Sequence, residues 1–378
     1  VGNIDSPSHK INETRDGKTA RIALADGEQG GNRDFVLRYQ LSGDAIQAGM
    51  LLFPGEDENF FLTMVQPPKR LSRKEIPRRE YVFIMDVSGS MHGFPLNTSK
   101  QLMRELAKGL KKTDLFNMVL FSGKAALMSD HSIPATSANI NMALGRFNQM
   151  RGGGGTRLLN ALHRAMALPT SDDVARTFVI VTDGYISVEP DVFEYIRANL
   201  GKANLFSFGI GSSVNRHLIE GMGRVGMGES FVSLNGTEAT RNAKKFKTYI
   251  ENPALTNINV AFDGFRAYDV EPKSVPDLFA QRPVVVFGKY KGKPKGKIAI
   301  TGTTGLGSFK QIVHVSDYTE NKNNDALRYL WARDKIARLS DLNKLRQNDK
   351  RIKEVTNLGL EYNLMTAYTS FVAVDSQC

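Results

Sequence analysis

The first part of the chain, residues 1 to about 75, is a series of short apolar or alternating runs. These runs cover residues 20–24, 34–41, 50–53 and 60–65. Asp-Gly, Gly-Gly and Pro-Gly pairs lie between them, and such pairs mark turns between antiparallel strands. The pattern therefore predicts a β segment over residues 1–75, followed by a linker that begins at a Gln-Pro-Pro sequence.

The hydrophobic period changes between residues 79 and about 250. Continuous apolar runs, typical of strands buried on both faces, occur at residues 81–85, 115–121, 177–181, 204–210 and 229–233. Apolar residues recur at helical spacing over residues 96–112, 139–148, 157–168, 191–200, 215–223 and 237–250. Strands that alternate with helices predict an α/β fold, Rossmann-like and doubly wound, with a mostly parallel sheet covered on both faces.

The last part of the chain returns to short apolar runs, with one helical exception. We predict strands at residues 257–262, 283–287, 297–300, 310–315 and 369–374. A long helix is predicted near residues 324–358, because apolar side chains there form one stripe at helical spacing. Two β segments around an α/β segment suggest an insertion. We therefore predict three units, residues 1–75, 79–250 and 251–378, with the outer two packing together as a β-sandwich.

Composition places the chain among folded proteins. Of its 378 residues, 41% are hydrophobic and 24% are charged, as in globular domains. No apolar run reaches the length of about 18 residues that crossing a bilayer requires. The one cysteine, Cys378, cannot close an internal disulfide, which fits a cytosolic protein or a bacterial envelope protein. Because the chain begins at Val1, we expect a processed protein whose signal peptide lies outside this sequence.

The net charge of +11 favours anionic partners. Basic residues are densest from Lys289 to Lys297, where lysine alternates with Tyr, Gly and Pro. We interpret this stretch as two strand ends and a turn with one solvated face, since lysines protect sheet edges from aggregation. The alternative is a site for an anionic polysaccharide. A nucleic-acid partner is not expected, because neither a recognition helix nor a series of aromatic residues accompanies the lysines.

Polar side chains follow three elements of the predicted α/β segment. They are Asp86, Ser88, Ser90, Thr156 and Asp183. The first three follow the first predicted strand, Thr156 follows four consecutive glycines, and Asp183 follows the third strand. Open parallel sheets bind ligands at the carboxyl ends of their strands, where the strand order reverses. These side chains are therefore expected to converge although they lie far apart in the sequence.

The chemistry of this set favours a hard cation. It offers two carboxylates and three hydroxyls but no Cys or His, which argues against zinc. Mg²⁺ binds octahedral oxygen ligands, commonly one or two carboxylates with water, whereas a tight Ca²⁺ site brings more acids. We therefore predict Mg²⁺, with Mn²⁺ or Ca²⁺ as alternatives. Two aspartates only balance the charge of the ion, so it would stay electrophilic and accept a further carboxylate from a protein partner.

These features also have other interpretations. Aspartate and serine commonly cap turns and helices, and four glycines can form an ordinary loop. In an enzyme, Asp86 would be the nucleophile of a metal-dependent phosphatase of the haloacid dehalogenase type. Such phosphatases need a second acid two residues later, where this chain has Ser88. A P-loop sequence is absent and the six histidines show no metal-binding spacing. We expect no enzymatic activity and keep the hydrolase as the alternative.

The pattern Asp86-x-Ser88-x-Ser90, followed by Thr156 and by Asp183-Gly184, resembles the metal-ion-dependent adhesion site of von Willebrand factor A domains. The resemblance covers roughly residues 79–250. It implies that Ser88, Ser90 and Thr156 are direct or near-direct metal ligands, and that Asp86 and Asp183 bind directly or through water. It also implies an adhesion or scaffold module that grips an Asp or Glu of a protein partner.

The flanking segments resemble inter-α-trypsin inhibitor heavy chains and their bacterial relatives. The resemblance is carried by residues 32–39, 55–61, 66–68, 326–332, 338–340 and 369–374, and it spans nearly the whole chain. It implies an extracellular or bacterial cell-envelope location. This sequence departs from the family in lacking the preceding VIT domain, or all but its end. It also lacks the Asp-Pro-His ending that carries a glycosaminoglycan ester, so no such cross-link is expected.

Overall fold

A computed structural model describes most of the chain. The described residues are 4–17, 19–25, 27, 34–39, 45–68, 71–72, 74–170, 174–184, 192–279, 282–345 and 347–372, without the side chains of 249, 344 and 345. No helix in these ranges is long and apolar enough to cross a membrane.

The first six strands belong to three separate sheets. They are β1 (Ile4–Asp5), β2 (Ile11–Asp16), β3 (Thr19–Leu24), β4 (Arg38–Tyr39), β5 (Gln47–Phe53) and β6 (Asn59–Gln66). β1 pairs with β4 and β2 pairs with β3, and most side chains of these strands are exposed. In the run predicted as a strand over residues 34–41, the described residues 34–39 form a strand at the two residues of β4 alone, since the apolar side chains there are exposed. Residues 40 and 41 lie outside the described residues. β5 and β6 form an antiparallel pair with a largely buried β6.

In the described residues, seven strands and six α-helices form the middle of the chain. They are β7 (Arg78–Asp86), α1 (Phe94–Ala107), β8 (Leu115–Phe121), β9 (Ala125–Leu127), β10 (Ile133–Pro134), α2 (Ser137–Asn148), α3 (Leu158–Met166), β11 (Val174–Thr182), α4 (Val192–Asn199), β12 (Asn204–Ile210), α5 (Arg216–Val225), β13 (Met227–Ser233) and α6 (Gly236–Ile250). The strand order is β10-β8-β7-β11-β12-β13, and β9 also pairs with β8. Five neighbouring strands, β8, β7, β11, β12 and β13, are parallel. β9 and β10 are antiparallel to β8.

Both faces of this sheet are covered, because side chains alternate along each strand. In β7, Tyr81, Phe83 and Met85 enter the core formed with α1, α2 and α6. Val82 and Ile84 enter the opposite core, formed with α3, α4 and α5. Three helices on each face of a mostly parallel sheet confirm the predicted doubly wound α/β fold.

The remaining strands complete a β-sandwich with the first part of the chain. They are β14 (Pro253–Asp263), β15 (Ala267–Glu271), β16 (Leu278–Phe279), β17 (Val284–Tyr290), β18 (Lys297–Thr304) and β19 (Gly307–His314). One sheet has the order β16-β14-β18-β19 and the other β15-β17-β6-β5. β17 and β6 are antiparallel neighbours, with Val285 opposite Met64. Leu52 and Val65 share a buried core with Ile298. The flanking segments thus meet in one sheet, while the predicted boundaries at 75–79 and 250–251 stay predictions.

Two helices, α7 (Ala326–Leu345) and α8 (Asp349–Glu361), cover the second sheet of the sandwich. Phe60 of β6 contacts Trp331 of α7 and Tyr362 after α8, with ring centroids 5.8 and 6.2 Å away. The Trp331 indole N–H donates to the carbonyl oxygen of Asp269 at 2.7 Å, so its polar atom is paired. This aromatic cluster attaches the helices to the sheet.

The structure corrects two predictions for the end of the chain. The long helix near residues 324–358 is two helices, because Asn348 begins a second one by accepting hydrogen bonds from the backbone N–H groups of Lys350 and Arg351. Residues 369–372 are not a strand. The Thr369 hydroxyl donates to the carbonyl of Leu364 at 2.9 Å and forms a turn there. Residues 373 and 374 of that predicted strand lie outside the described residues.

The lysine-rich stretch connects the two sheets of the sandwich, since β17 ends at Tyr290 and β18 begins at Lys297. The predicted single solvated face is wrong for Lys289, which is 5% exposed. Its ammonium lies 2.5 Å from a Glu58 carboxylate oxygen and 3.9 Å from the centroid of the Trp331 ring. Because Lys297 also pairs with Asp263 at 3.0 Å, these two lysines are less available to a polysaccharide than the sequence suggests.

A buried pair of polar side chains joins the α/β sheet to the sandwich. Asn204, at the start of β12, donates its side-chain amide to the Asp277 carboxylate at 2.7 Å and accepts the Asp277 backbone N–H at 3.1 Å. The backbone N–H of Asn257 also donates to this carboxylate. Complete burial raises the pKa of Asp277 to about 7 despite these donors. The folded state therefore favours the protonated form of Asp277, because the effect of burial outweighs that of the donors, which favour the ionised form.

We expect the stability that Asp277 contributes to depend on pH. Its raised folded-state pKa means that the contribution is complete below the unfolded value near 4 and is lost as the pH rises through about 7. The loss of melting temperature caused by Asp277→Asn should therefore be larger at pH 5 than at pH 8, measured by calorimetry. Asp263→Asn, at an exposed ion pair, is the control and should show little difference. An equal effect of Asp277→Asn at both pH values would contradict this account.

Candidate metal site

The predicted site residues lie where the strand order reverses. The chain proceeds from β7 to β8 on one side, and later strands are added on the other side, beginning with β11. β7 and β11 are parallel neighbours, with Met85 opposite Val181. Asp86 and Asp183 follow that pair of residues at the carboxyl end of the sheet. This is the edge at which α/β sheets bind ligands.

Asp86 is fully buried, and each of its carboxylate oxygens accepts a hydrogen bond. The backbone N–H of Ser88 donates to Oδ1 at 2.8 Å, and the hydroxyl of Thr182 donates to Oδ2 at 2.6 Å. The Thr182 hydroxyl in turn accepts the backbone N–H of Gly184 at 3.0 Å. The carboxylate orientation is thus fixed by its own loop and by the neighbouring strand.

Thr182 is the residue that the sequence prediction missed. It is 1% exposed and is the last residue of β11. The signal for it in the sequence is a hydroxyl residue that ends an apolar run directly before Asp183. Without the pairing of β7 and β11, nothing in the sequence connects this hydroxyl to Asp86.

The two aspartates are close enough to affect one another. Burial is the main cause that raises the pKa of Asp86, and the charge of Asp183 raises it further, while the bonds from Ser88 and Thr182 oppose the shift. Asp183 is also buried, at 7% exposure. Two carboxylates that are held together at a buried edge are a favourable environment for a cation, which would offset their repulsion.

Ser88 and Ser90 form the next layer of the site. A short 3₁₀ helix, Gly89–Met91, follows β7 and turns the chain so that the two serine hydroxyls lie 3.3 Å apart. Ser88 is fully buried, whereas Ser90 is exposed. The hydroxyls therefore lead from the buried carboxylates towards solvent.

The glycine-rich loop brings Thr156 to the same edge. Its backbone bonds to the first loop twice: the Gly89 N–H donates to the Gly154 carbonyl, and the Gly153 N–H donates to the Val87 carbonyl, both at 3.0 Å. Thr156 follows two residues after Gly154 and is half-buried. The structure therefore places Asp86 at the end of β7 and the other four predicted residues in the connecting segments at the same edge of the sheet.

The donors that meet here are oxygens. Within the described residues, no group of three or more His, Cys, Asp or Glu side chains is arranged to hold a metal. This result agrees with a set of two carboxylates and three hydroxyls. Hydroxyl and carboxylate oxygens suit Mg²⁺, Mn²⁺ or Ca²⁺ and suit soft metals poorly.

Comparisons with known proteins show which families this sequence is similar to. The family model described as von Willebrand factor type A domain matches residues 79–231. Inter-alpha-trypsin inhibitor heavy chain H3 of Bos taurus is 25% identical over 90% of this chain and 40% of its own length. A von Willebrand factor A domain-containing protein of Dictyostelium discoideum is 22% identical over 78% of this chain and 32% of its own length. The chain therefore spans less than half of these relatives.

A solved structure supports the fold alone. The structure described as von Willebrand factor type A from Catenulispora acidiphila superposes with a TM-score of 0.62, covering 86% of this chain and 89% of that one. Its sequence identity of 13% is too low for an argument about site residues.

The close contact between the two loops generates a prediction. Gly152 has a φ of +80°, and a Cβ there would lie 3.0 Å from the His92 Cα and 3.2 Å from the Ser88 carbonyl oxygen. Because these neighbours are backbone atoms, Gly152→Ala should lower the free energy of unfolding by about 1–3 kcal/mol, measured by chemical denaturation.

Gly153→Ala is the matched control, since a Cβ at that position meets nothing within 4 Å. It should change stability by no more than about 0.5 kcal/mol. Equal stability of the two variants would show that the glycine-rich loop does not pack against the Ser88 loop.

Proposed function

We propose that this chain, which contains a von Willebrand factor type A domain and is homologous to the inter-α-trypsin inhibitor heavy chains, is a non-enzymatic, metal-dependent protein-binding module. Domains of this family commonly bind a divalent metal and act in protein interactions. The observation that carries the proposal is the buried Asp86 carboxylate, fixed by Ser88 and Thr182 beside Asp183.

In this proposal the cation lies between buried acids and accessible hydroxyls. Ser88, Ser90 and Thr156 supply oxygens directly, and Asp86 and Asp183 bind directly or through water. Mg²⁺ is the expected ion, with Mn²⁺ or Ca²⁺ as alternatives, because the ligands are hard oxygens and few are charged. The bound ion supplies an electrophilic coordination position.

That coordination position would be open to solvent and to a partner. Ser90 is exposed and Thr156 is half-buried, so the outer side of the ion is not enclosed by these residues. The two aspartates balance the charge of a divalent ion, so no excess negative charge would repel a further carboxylate. An Asp or Glu carboxylate from a partner protein is therefore the ligand that we assign to the remaining position.

The surrounding charges favour an acidic partner. Exposed basic residues adjoin each loop of the site: Lys124, Arg151, Arg157 and Arg216. None of the four forms an ion pair with another described residue. Unpaired cations around a carboxylate-binding ion would raise the association rate with acidic segments and make it depend on salt.

The geometry gives less support to a hydrolase that uses Asp86 as its nucleophile. Asp86 is fully buried, and both of its oxygens accept hydrogen bonds from within the fold. The residue two positions later, Ser88, has no proton-transfer group of suitable pKa and is also buried. A phosphate ester would have to displace these contacts before it could reach a carboxylate oxygen.

Two further parts of the proposal rest on the sequence. We place the protein outside the cell or in a bacterial cell envelope, because of its resemblance to the heavy chains. Binding of an anionic polysaccharide at the lysine-rich stretch would depend on Lys293 and Lys295, which are both exposed.

Metal binding can be tested by isothermal titration of the full chain with Mg²⁺ and Mn²⁺. Asp86→Ala and Asp183→Ala should abolish the binding heat, since each removes half of the anionic charge. Thr182→Val should weaken affinity by about 10- to 100-fold, because it leaves one Asp86 oxygen without its donor.

Thr177→Val is the matched control for Thr182→Val. Thr177 is a buried threonine near the middle of the same strand, β11, and lies before Thr182 on the side away from the site. Affinity should be unchanged in this variant. Unchanged metal binding in both aspartate variants, with native folding, would reject the proposed site.

A further inference from the structure

A cavity of about 350 Å³ lies where the α/β domain, the sandwich and α7 meet. Its volume is in the range of small-ligand pockets. Met227, the first residue of β13, lines it. The cavity is therefore at the amino ends of the parallel strands, at the opposite edge of the sheet from Asp86 and Asp183. It is a separate location from the proposed metal site.

Two arginines in the cavity wall are neutralised by acids of the fold. Arg224 of α5 donates two hydrogen bonds of 2.6 Å to Asp341 of α7. Arg338 of α7 binds both carboxylate oxygens of Glu271, at 2.6 to 3.2 Å. Glu271 and Asp341 are each largely buried. These acids are consequently occupied by partners that already match their geometry.

Arg197 of α4 also lines this cavity, and it has no such partner. It makes no hydrogen bond or ion pair with another described residue. Partial burial lowers the pKa of its guanidinium, and the like charge of Arg338 lowers it further. Its side chain is exposed, and the carboxylates of Glu194, Asp341 and Glu271 attract it. Because its N–H donors make no hydrogen bond within the described residues, they are available to an external anion.

The other wall of the cavity is apolar. Val225 and Met227 of the α/β domain face it together with Val285 and Phe287 of β17, and all four side chains are only half-buried. A ligand that covered them would remove apolar surface from water, which is favourable in proportion to the area buried. The lining therefore fits a molecule with an anionic head and an apolar body.

The remaining carboxylates of the lining oppose an anion only weakly. Burial raises the pKa of Asp277 to about 7, and burial together with the nearby Glu271 raises the pKa of Asp334. Lys273 lines the cavity with an exposed side chain, and its ammonium lies 3.7 Å from a Glu271 oxygen. It adds positive charge. The net charge that a ligand head would meet is thus positive.

We propose that this interdomain cavity binds a small organic anion, with a carboxylate or phosphate head on Arg197 and an apolar body against Val285 and Phe287. Arg197 belongs to the α/β domain and the two apolar residues belong to the sandwich. A bound anion therefore bridges the two and strengthens their contact.

The probes are phenyl phosphate and benzoate, with benzylamine as the cation of similar shape and inorganic phosphate as a head group alone. Binding to the full chain is measured by saturation-transfer NMR for the aromatic probes and by calorimetry for all four. EDTA is present throughout, so that no anion can bind through a metal ion. Phenyl phosphate or benzoate should bind, and the stronger of the two identifies the head group. Benzylamine should not bind, and inorganic phosphate should bind more weakly.

Arg197→Gln should weaken the binding of the anionic probe by about tenfold or more, the usual effect of removing a charge-assisted hydrogen bond. It should change the melting temperature without ligand only slightly, because Arg197 is exposed and makes no hydrogen bond or ion pair with another described residue. Arg241→Gln, at an exposed arginine of α6 that forms no ion pair with another described residue, is the matched control and should bind like the parent chain.

Ala337→Met is a second variant that fills the cavity from α7 without changing a charge, and it should also remove binding. The proposal is overturned if no anionic probe binds, if benzylamine binds equally well, or if Arg197→Gln binds as the parent chain does. It does not depend on the metal site, so loss of metal binding would leave it unaffected.

Discussion

The carboxylate of Asp86 is held by donors from two neighbouring strands, and the proposed site depends on that arrangement. Ser88 donates from the loop after β7, and Thr182 donates from the end of β11. The Ser88 bond is local to the loop after β7, whereas the Thr182 bond requires that β7 and β11 pair in parallel at the point where the strand order reverses. A buried carboxylate without such donors would be costly. With these donors, the Asp86 carboxylate is an anion of fixed orientation, buried beneath the loops at this edge of the sheet.

The rest of the fold keeps this edge of the sheet in place. The α/β domain is inserted into a single sandwich, because β6, which precedes the domain, pairs with β17, which follows it. Arg79, near the start of the α/β domain, contacts the end of the domain. Its guanidinium binds Asp114 and also donates to the carbonyl of Glu251, directly after α6, at 2.7 Å. These contacts are at the amino ends of the strands, so the opposite edge with its loops stays available for a partner.

Local patterns allowed much of this to be predicted. Helices and buried strands of the α/β domain follow from hydrophobic periodicity, and the loop residues from Asp86 to Ser90 follow a strand whose burial is evident from its sequence. Thr182 was missed because its role arises from pairing between strands that are far apart in the chain. The break between α7 and α8 had a local signal, since Asn348 followed by Asp349 is a helix-starting pair, but the continuing apolar stripe obscured it. Lys289 was expected in solvent because its aromatic neighbour Trp331 is distant in sequence.

The central claim is that a divalent ion at this loop cluster coordinates a carboxylate from outside the chain. A crystal structure of the protein grown with Mn²⁺ and a short glutamate-containing peptide tests it most directly, with anomalous scattering to locate the ion. The account predicts an anomalous peak among the oxygens of Ser88, Ser90 and Thr156, with Asp86 and Asp183 directly or one water away and the glutamate carboxylate on the ion. The absence of a peak at this edge at saturating Mn²⁺ would contradict the account. So would a bound peptide whose carboxylate does not reach the ion, with water in the remaining coordination position.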